Sequence, residues 1–295
     1  ANVVTAEGEL LVGATALQIA APSVAESLGI PYVFVAYCPA VLPSALQAPP
    51  LLRMLGQTAA TRSVDNRELW EEDARRSNEL WGEALNSHRK TAGLSPVADV
   101  RSHVLTACPW LAADPTLAPW PDPDLDVFQP GAWILPDRRP LAAELEAFLN
   151  AGEPPIYFGF GSMHAPPDLG AAMVEAGRAL GRRTIVNRGW ADLAVPEGAS
   201  DCLVVEEVNQ QALFPRVSVV VHHGGAGTTT VAALAGVPQV VVPQMYDQRY
   251  WAERVERLGI GVAHAAGTPT RASLTGAIEL ALLPENHVRV RSVAA

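Results

Sequence analysis

The chain has 295 residues, 49% of them hydrophobic, and a net charge of −10. That length exceeds the usual single domain, so two domains with sizeable cores are expected. The acidic balance argues against a nucleic-acid partner, which calls for a basic surface, and no apolar run reaches the roughly 18 residues of a membrane span. Cys38, Cys108 and Cys202 are far apart and odd in number. They offer neither metal spacing nor a disulfide framework, and they read as small apolar side chains in a reducing, cytoplasmic setting. The chain opens without Met or a signal pattern, and is read as starting inside an α/β unit.

Residues 7–29, rich in Ala, Leu and Val and stopped by Gly29, predict a helix, and Pro31–Ala36 a buried strand. Residues 38–66 hold Pro39, Pro43, Pro49 and Pro50 and few charges; proline denies them a ladder or helix. This long loop either faces a large apolar acceptor or packs on its own domain. Asp65 or Asn66 caps a long helix from Arg67 to about Arg89, with Trp70 and Trp81 read as core. A short helix near Val97–Ser102 and a strand at Val104–Ala107 follow. Prolines crowd residues 109–140, so 131–140 is read as the linker between an N-terminal domain (1–130) and a C-terminal one (141–295). Asp122-Pro-Asp-Leu-Asp126 resembles an Asp-x-Asp metal motif, but its proline-rich setting predicts a solvated turn.

The second half alternates helices and strands. Helices are predicted at 141–150, 168–180, 209–214 and 247–258, strands at 155–160, 183–187, 203–206, 218–222, 238–242 and 261–264. This rhythm gives a parallel, doubly wound α/β sheet, whose ligands bind at the carboxyl ends of strands. The turns 159–163, 188–190, 208–211, 222–228 and 244–248 therefore converge.

The stretch Ser218–Gly236 is the most informative. A β-branched run ends in His222 and His223, then glycines, then a helix opening on threonines. Glycine admits close backbone approach, and the first-turn N–H groups and dipole of the helix attract an anion, above all a phosphate. His223 is read as facing that anion, and His222, on the opposite side by strand alternation, as structural. A β-branched residue at Gly225 would fill the anion's space and oppose a positive φ there. Asp247 reads equally as a helix N-cap or, with Gln248, as a partner of sugar hydroxyls. Gly159-x-Gly161 lacks the third glycine of a dinucleotide fingerprint and no Lys-Ser/Thr phosphate loop occurs, which points away from NAD and from ATP hydrolysis.

His223-Gly-Gly-Ala-Gly227-Thr228-Thr, then Gly236-Val-Pro-Gln-Val-Val-Val-Pro243-Gln-Met-Tyr-Asp247-Gln248-x-Tyr-Trp-Ala, resembles the donor-binding signature of GT-B nucleotide-sugar glycosyltransferases. With Tyr37-Cys-Pro-Ala-Val-Leu-Pro43-Ser44, Trp81–Asn86, Gly131-Ala-Trp133 and Gly159–Ser162, the chain resembles the actinobacterial members that decorate vancomycin- and teicoplanin-type glycopeptides. The resemblance implies two Rossmann-like domains facing each other across a cleft, the N-terminal one incomplete. It implies that Ser162 touches the diphosphate and that His223, Gly225, Ala226, Gly227 and Thr228 hold the phosphates. It places Val208 and Gln210 at the nucleobase, Arg188 and Trp190 near it, and Asp247 and Gln248 at the sugar. It implies an inverting, metal-independent transfer from a UDP- or TDP-sugar to a hydroxyl of a heptapeptide aglycone, with no cofactor, in a monomer. The general base is expected in an N-terminal strand and turn not found in this sequence, and the C-terminal helix that crosses back is not found either; Asp247 can assist but is not read as the base.

Other readings stay open: a macrolide, polyketide or sterol aglycone; a nucleotide-sugar epimerase, against which the 38–66 loop and the Trp70/Trp81 helix count; or a non-catalytic nucleotide-sugar-binding module.

Overall fold

The computed structural model describes residues 9–14, 17–50, 65–161, 168–189, 200–265 and 267–294. The chain divides into two compact units, Ala1–Trp133 and Ile134–Ala295.

The first unit holds three parallel strands, β1 (Leu11–Ala14), β2 (Tyr32–Ala36) and β3 (Trp110–Leu111), in that order. The single helix expected over 7–29 is instead β1 followed by α1 (Ala21–Leu28). The apolar run at Leu10–Val12 has strand length, and a proline sits in the first turn of α1, where its missing N–H costs nothing. Gly13 leaves room in β1 for the Tyr32 ring, whose hydroxyl would lie 2.5 Å from a Cβ there. Helix α2 (Asn66–Thr91) begins where expected, with Asp65 accepting from Arg67 N–H. The next two elements are displaced from their expected places. Asp99 caps α3 (Val100–Leu105) by accepting from the Ser102 N–H and hydroxyl, and Thr106 ends it at a φ of 65°. Residues 104–105 are therefore helical, and β3 forms only after Pro109.

Buried side chains fasten this unit. Trp70 is core and donates from its indole to the Gln47 carbonyl, whereas Trp81 is 36% exposed. Residues 38–50 pack on their own unit, with Cys38, Ala40, Leu42 and Ser44 buried; residues 51–64 of the predicted loop lie outside the described residues. Asp122 is not in a solvated turn. It is buried, and its carboxylate accepts from the Ser44 hydroxyl, Ala45 N–H and Asp124 N–H. Those bonds, the Asp124 amide first, hold its pKa below the usual carboxylate value.

The second unit is built on one six-stranded parallel sheet of order β6-β5-β4-β7-β8-β9. In chain order it comprises α4 (Ala143–Asn150), β4 (Ile156–Gly159), α5 (Leu169–Ala179), β5 (Thr184–Asn187), β6 (Cys202–Val205), α6 (Gln210–Leu213), β7 (Val219–His222), α7 (Ala226–Leu234), β8 (Gln239–Val241), α8 (Gln248–Leu258), β9 (Gly261–Ala263), α9 (Arg271–Ala281) and α10 (Pro284–Ala294). The predicted strands fall in place, trimmed or shifted by a residue at an end. Helices α9 and α10 were not read from sequence; α9 starts at a reciprocal cap between Thr270 and Ser273. Both faces of the sheet are buried, and side chains alternate between them. Ile156, Phe158, Val219, Val221 and Val240 pack under α5 and α9. Tyr157, Ile185 and Val220 pack on the other side, with Leu145, Leu213 and Phe214. Residues 135–139 are tied to this unit: the Asn209 amide donates to the Asp137 and Arg139 carbonyls, and Gln211 to Leu135.

Candidate functional site

In this strand order the sheet reverses direction of growth between β4 and β7, which pair with Gly159 opposite His222. The carboxyl edge at such a switch point is where doubly wound sheets open a crevice. Here that edge is built from glycine turns lying backbone against backbone. Gly189, at φ 50°, could carry no Cβ, which would stand 2.5 Å from the Gly161 carbonyl oxygen.

The two histidines have different roles. His222 is fully buried; its Nδ1 accepts from the Gly224 N–H at 3.1 Å and its Nε2 lies 2.9 Å from Gln239 Oε1. The first bond requires an unprotonated Nδ1, so Nε2 carries the hydrogen and donates to Gln239. Burial, with His223 next door, pushes its pKa down to about 3, so it is a neutral support for the turn, as its strand position implies. His223 turns its ring between two glycines. A Cβ on Gly225 would stand 2.6 Å from His223 Nε2, and one on Gly161 3.1 Å from its Cε1. Its Nδ1 is buried without a hydrogen bond of normal geometry. Burial lowers its pKa, and the nearby Gly159 backbone opposes that shift.

Gly225 does not take the positive φ anticipated for it. Its φ is −67°, and the left-handed residue is Gly224, at 92°. A Cβ on Gly224 would lie 2.8 Å from Val241 and 3.0 Å from the Gln248 carbonyl oxygen. Gly225 is small for another reason, the His223 ring. As N-cap of α7 it supplies no side-chain acceptor, so the N–H groups of Ala226, Gly227 and Thr228 have no partner within the helix. These open amides and the dipole behind them make an anion cradle. A Cβ on Gly227 would meet nothing within 4 Å among the described residues.

The Gln244–Gln248 turn is the second feature of the edge. Tyr246 has a φ of 52°, a left-handed conformation costing roughly 1–2 kcal/mol in a residue with a Cβ. Asp247 is N-cap of α8 by position but makes no side-chain cap bond. Its Oδ2 instead accepts from the indole N–H of fully buried Trp251 at 3.2 Å. Burial raises the Asp247 pKa, and the Trp251 bond pulls the other way. Gln248 is buried and spends its Oε1 on the N–H groups of Gln244 and Met245.

Beside these turns, Val208 and Gln210 line a pocket of about 430 Å³ with Leu135, Asp137, Gln211 and Val231. The Tyr157 phenol reaches this edge: Gln210 and Asn187 hydrogen-bond its oxygen, while burial raises its pKa to about 12. Arg188 follows β5 with an exposed side chain. Ser162 and Trp190 lie outside the described residues. The structure thus brings Val208, Gln210, His223, Gly225, Ala226, Gly227, Thr228, Asp247, Gln248 and Arg188 to one sheet edge. Sequence reasoning missed Tyr157, Gly224 and Trp251 as supports. Gly224 and Trp251 stood in the motif, whereas Tyr157 gave no signal beyond a core aromatic. Among the described residues no three His, Cys, Asp or Glu side chains group to hold a metal, and no helix is long and apolar enough to cross a membrane.

Residues 187–294 match the family described as erythromycin biosynthesis protein CIII-like, C-terminal domain. Over 282 residues, 96% of this chain and 69% of the other, the chain is 51% identical to the vancomycin aglycone glucosyltransferase of Amycolatopsis orientalis. It is 46% identical to the dTDP-epi-vancosaminyltransferase of that organism over 281 residues, 93% of this chain and 66% of the other. The crystal structure of the kitacinnamycin glycotransferase matches with a TM-score of 0.71 at 20% identity, covering 98% of this chain and 71% of that one. A six-stranded sheet with an anion cradle at its switch point, in a chain with these likenesses, is the mark of a GT-B glycosyltransferase. Within that class the chain belongs to the family of glycosyltransferases of vancomycin-type glycopeptides.

Proposed function

We propose that the chain transfers a sugar from a UDP- or TDP-sugar to a hydroxyl of a glycopeptide heptapeptide aglycone, inverting the anomeric centre without a metal. The observation that carries this is the 51% identity to a vancomycin aglycone glucosyltransferase across 96% of the chain. The geometry of the carboxyl edge supports it. The diphosphate rests on the amides of Ala226, Gly227 and Thr228, the base lies at the Val208/Gln210 pocket, and the sugar lies at the Asp247–Gln248 turn. Ser162, Arg188 and Trp190 complete the donor site. As the sugar–oxygen bond breaks, charge grows on the leaving diphosphate. The α7 N-terminus and a hydrogen bond from the His223 ring stabilise that charge more than the ground state. The acceptor oxygen attacks in line from the far side, which inverts the centre. Its proton goes to a general base.

Relatives close to this chain are named for a glucosyl and a vancosaminyl transfer, so the donor is the open variable. Titrating UDP and TDP into the protein, followed by transfer assays with UDP-glucose and TDP-deoxysugars on a glycopeptide aglycone, tests the reading. Binding of one diphosphate, and a product of inverted anomeric configuration by NMR, is expected. No transfer to any glycopeptide aglycone, with transfer to a macrolide instead, would overturn the acceptor; the match of residues 187–294 to a macrolide-pathway domain makes that the comparison to run.

A further inference from the structure

The segment Leu135–Arg139, at the start of the second unit, forms neither helix nor strand, yet two side chains of one short loop hold it. Asn209 is 5% exposed. Its amide nitrogen donates to the Asp137 carbonyl at 3.0 Å and to the Arg139 carbonyl at 2.7 Å. The Gln211 amide nitrogen donates to the Leu135 carbonyl at 2.8 Å, and Gln211 Oε1 accepts from the Asp137 N–H at 3.2 Å. Three alternate carbonyls of the segment therefore face the 209–211 loop. Arg139 adds ion pairs to Asp137 and Glu207 at 2.7 Å each, but Arg139 and Glu207 are exposed, and such pairs contribute little. The amide bonds are the strap. What they hold is one side of a ligand-sized space: Leu135, Pro136 and Asp137 line the 430 Å³ pocket together with Val208 and Gln210. Leu135 is 88% exposed, so the strap presents apolar surface there rather than burying it. Asn209 also accepts from the Ala212 N–H at 3.0 Å as N-cap of α6. One buried side chain thus ties the helix that carries Gln210 to the segment that walls the same pocket.

We propose that Asn209 is a positioning residue for the donor: its amide holds Leu135–Asp137 as a wall of the nucleobase pocket, so that a pyrimidine base is received between this strap and the Val208/Gln210 turn. The inference rests on the nucleotide-sugar reading of this pocket and deepens it. The flat faces of the base meet the apolar Leu135 and Pro136, and covering them removes apolar surface from water. The diphosphate, on the α7 amides, is independent of the strap. The two halves of the nucleotide therefore respond differently when the strap is cut.

The test is a pair of variants in the full chain, Asn209→Asp and Asn209→Ser, titrated with UDP, TDP and inorganic pyrophosphate. Asp and Ser are both good N-caps, so each variant keeps an acceptor for the Ala212 N–H and loses the amide that donates to Asp137 and Arg139. Asp also sets a carboxylate against two carbonyl oxygens. The expected result is that both variants bind UDP and TDP about tenfold or more weakly, Asp more so than Ser, because the strap carbonyls lose their donor. Pyrophosphate, which reaches the α7 amides alone, stays within about twofold of the parent. That split is the decisive readout, since general damage to the sheet edge would weaken all three ligands. An equal fall for pyrophosphate and the nucleotides overturns the positioning role. Parental affinity for UDP and TDP in either folded variant overturns it too, while leaving the site reading in place. Should Asn209→Asp fail to fold by thermal melt, Asn209→Ser decides alone by the same two affinities. A parent protein that binds pyrophosphate but neither UDP nor TDP overturns the nucleobase reading of the pocket, and this inference with it.

Discussion

Both units end parallel strands in turns, but they secure those turns in opposite ways. In the first unit buried side chains reach into the connecting segments. Asp122 collects three donors, and Arg89, 4% exposed, bridges Glu26, Ser23 and the Ser95 carbonyl. In the second unit glycines let the turns close up, Gly189 on the Gly161 carbonyl and Gly224 on the Gln248 carbonyl, with fewer side-chain staples, from His222 and Gln248. A stapled turn consumes its polar groups internally. A glycine turn at a helix start leaves amides open toward a ligand. The difference fits the proposed donor site in the second unit, and it predicts that the two units fail under opposite kinds of substitution.

Adding a side chain should damage the second unit most. Gly224→Val places a β-branched residue at a φ of 92° and drives its Cβ to 2.8 Å from Val241. Strain and overpacking together should cost about 3–5 kcal/mol, with UDP and TDP binding abolished. Calorimetry and nucleotide titration check both. A variant that melts with the parent would show that Gly224 is not the packed, left-handed position described.

Removing a side chain should damage the first unit. Arg89→Met leaves the Ser23 hydroxyl and the Ser95 carbonyl without their charged donor, a loss of about 2–3 kcal/mol. Glu26, whose pKa is lowered chiefly by its hydrogen bond to Arg89, should return toward the ordinary value. His103, held down by burial and then by the Arg89 charge, should rise. Chemical denaturation and NMR titration read these effects, and nucleotide binding should stay as in the parent. A large fall in nucleotide affinity would mean the staple reaches beyond its unit.

Much of the second unit is legible in sequence because parallel strands buried on both faces read as continuous apolar runs, as at Val219–Val221 and Val240–Val242. The candidate site is legible as a motif, since a glycine turn running from a buried strand into a helix is a pattern that receives anions. What sequence could not show was division of labour at single-residue scale. Gly224 and Gly225 are the same residue type side by side, and only the fold decides which takes the left-handed turn and which clears room for His223. For Asp247 the fold shows what the sequence could not: it sits at the N-cap position without a side-chain cap bond, and its Oδ2 accepts instead from Trp251, four residues on. In the first unit the expected helix over 7–29 dissolved because a strand only four residues long, Leu11–Ala14, carries little periodicity, and β3, at two residues, carries none.

The finest test separates packing from ligand contact within one turn. Gly227 lies in the first turn of α7, with open space where a Cβ would go among the described residues. Gly227→Ala should therefore raise the melting temperature slightly, since alanine in a helix gains up to about 1 kcal/mol over glycine. The same methyl group would stand where the diphosphate approaches the amides, so nucleotide affinity should fall while stability rises. Parallel thermal melts and UDP or TDP titrations give the two signs. Opposite signs distinguish Gly227 from Gly224, at which stability and binding fall together. If affinity rises or holds along with stability, the diphosphate does not lie over Gly227, and its contacts shift toward Thr228 and His223.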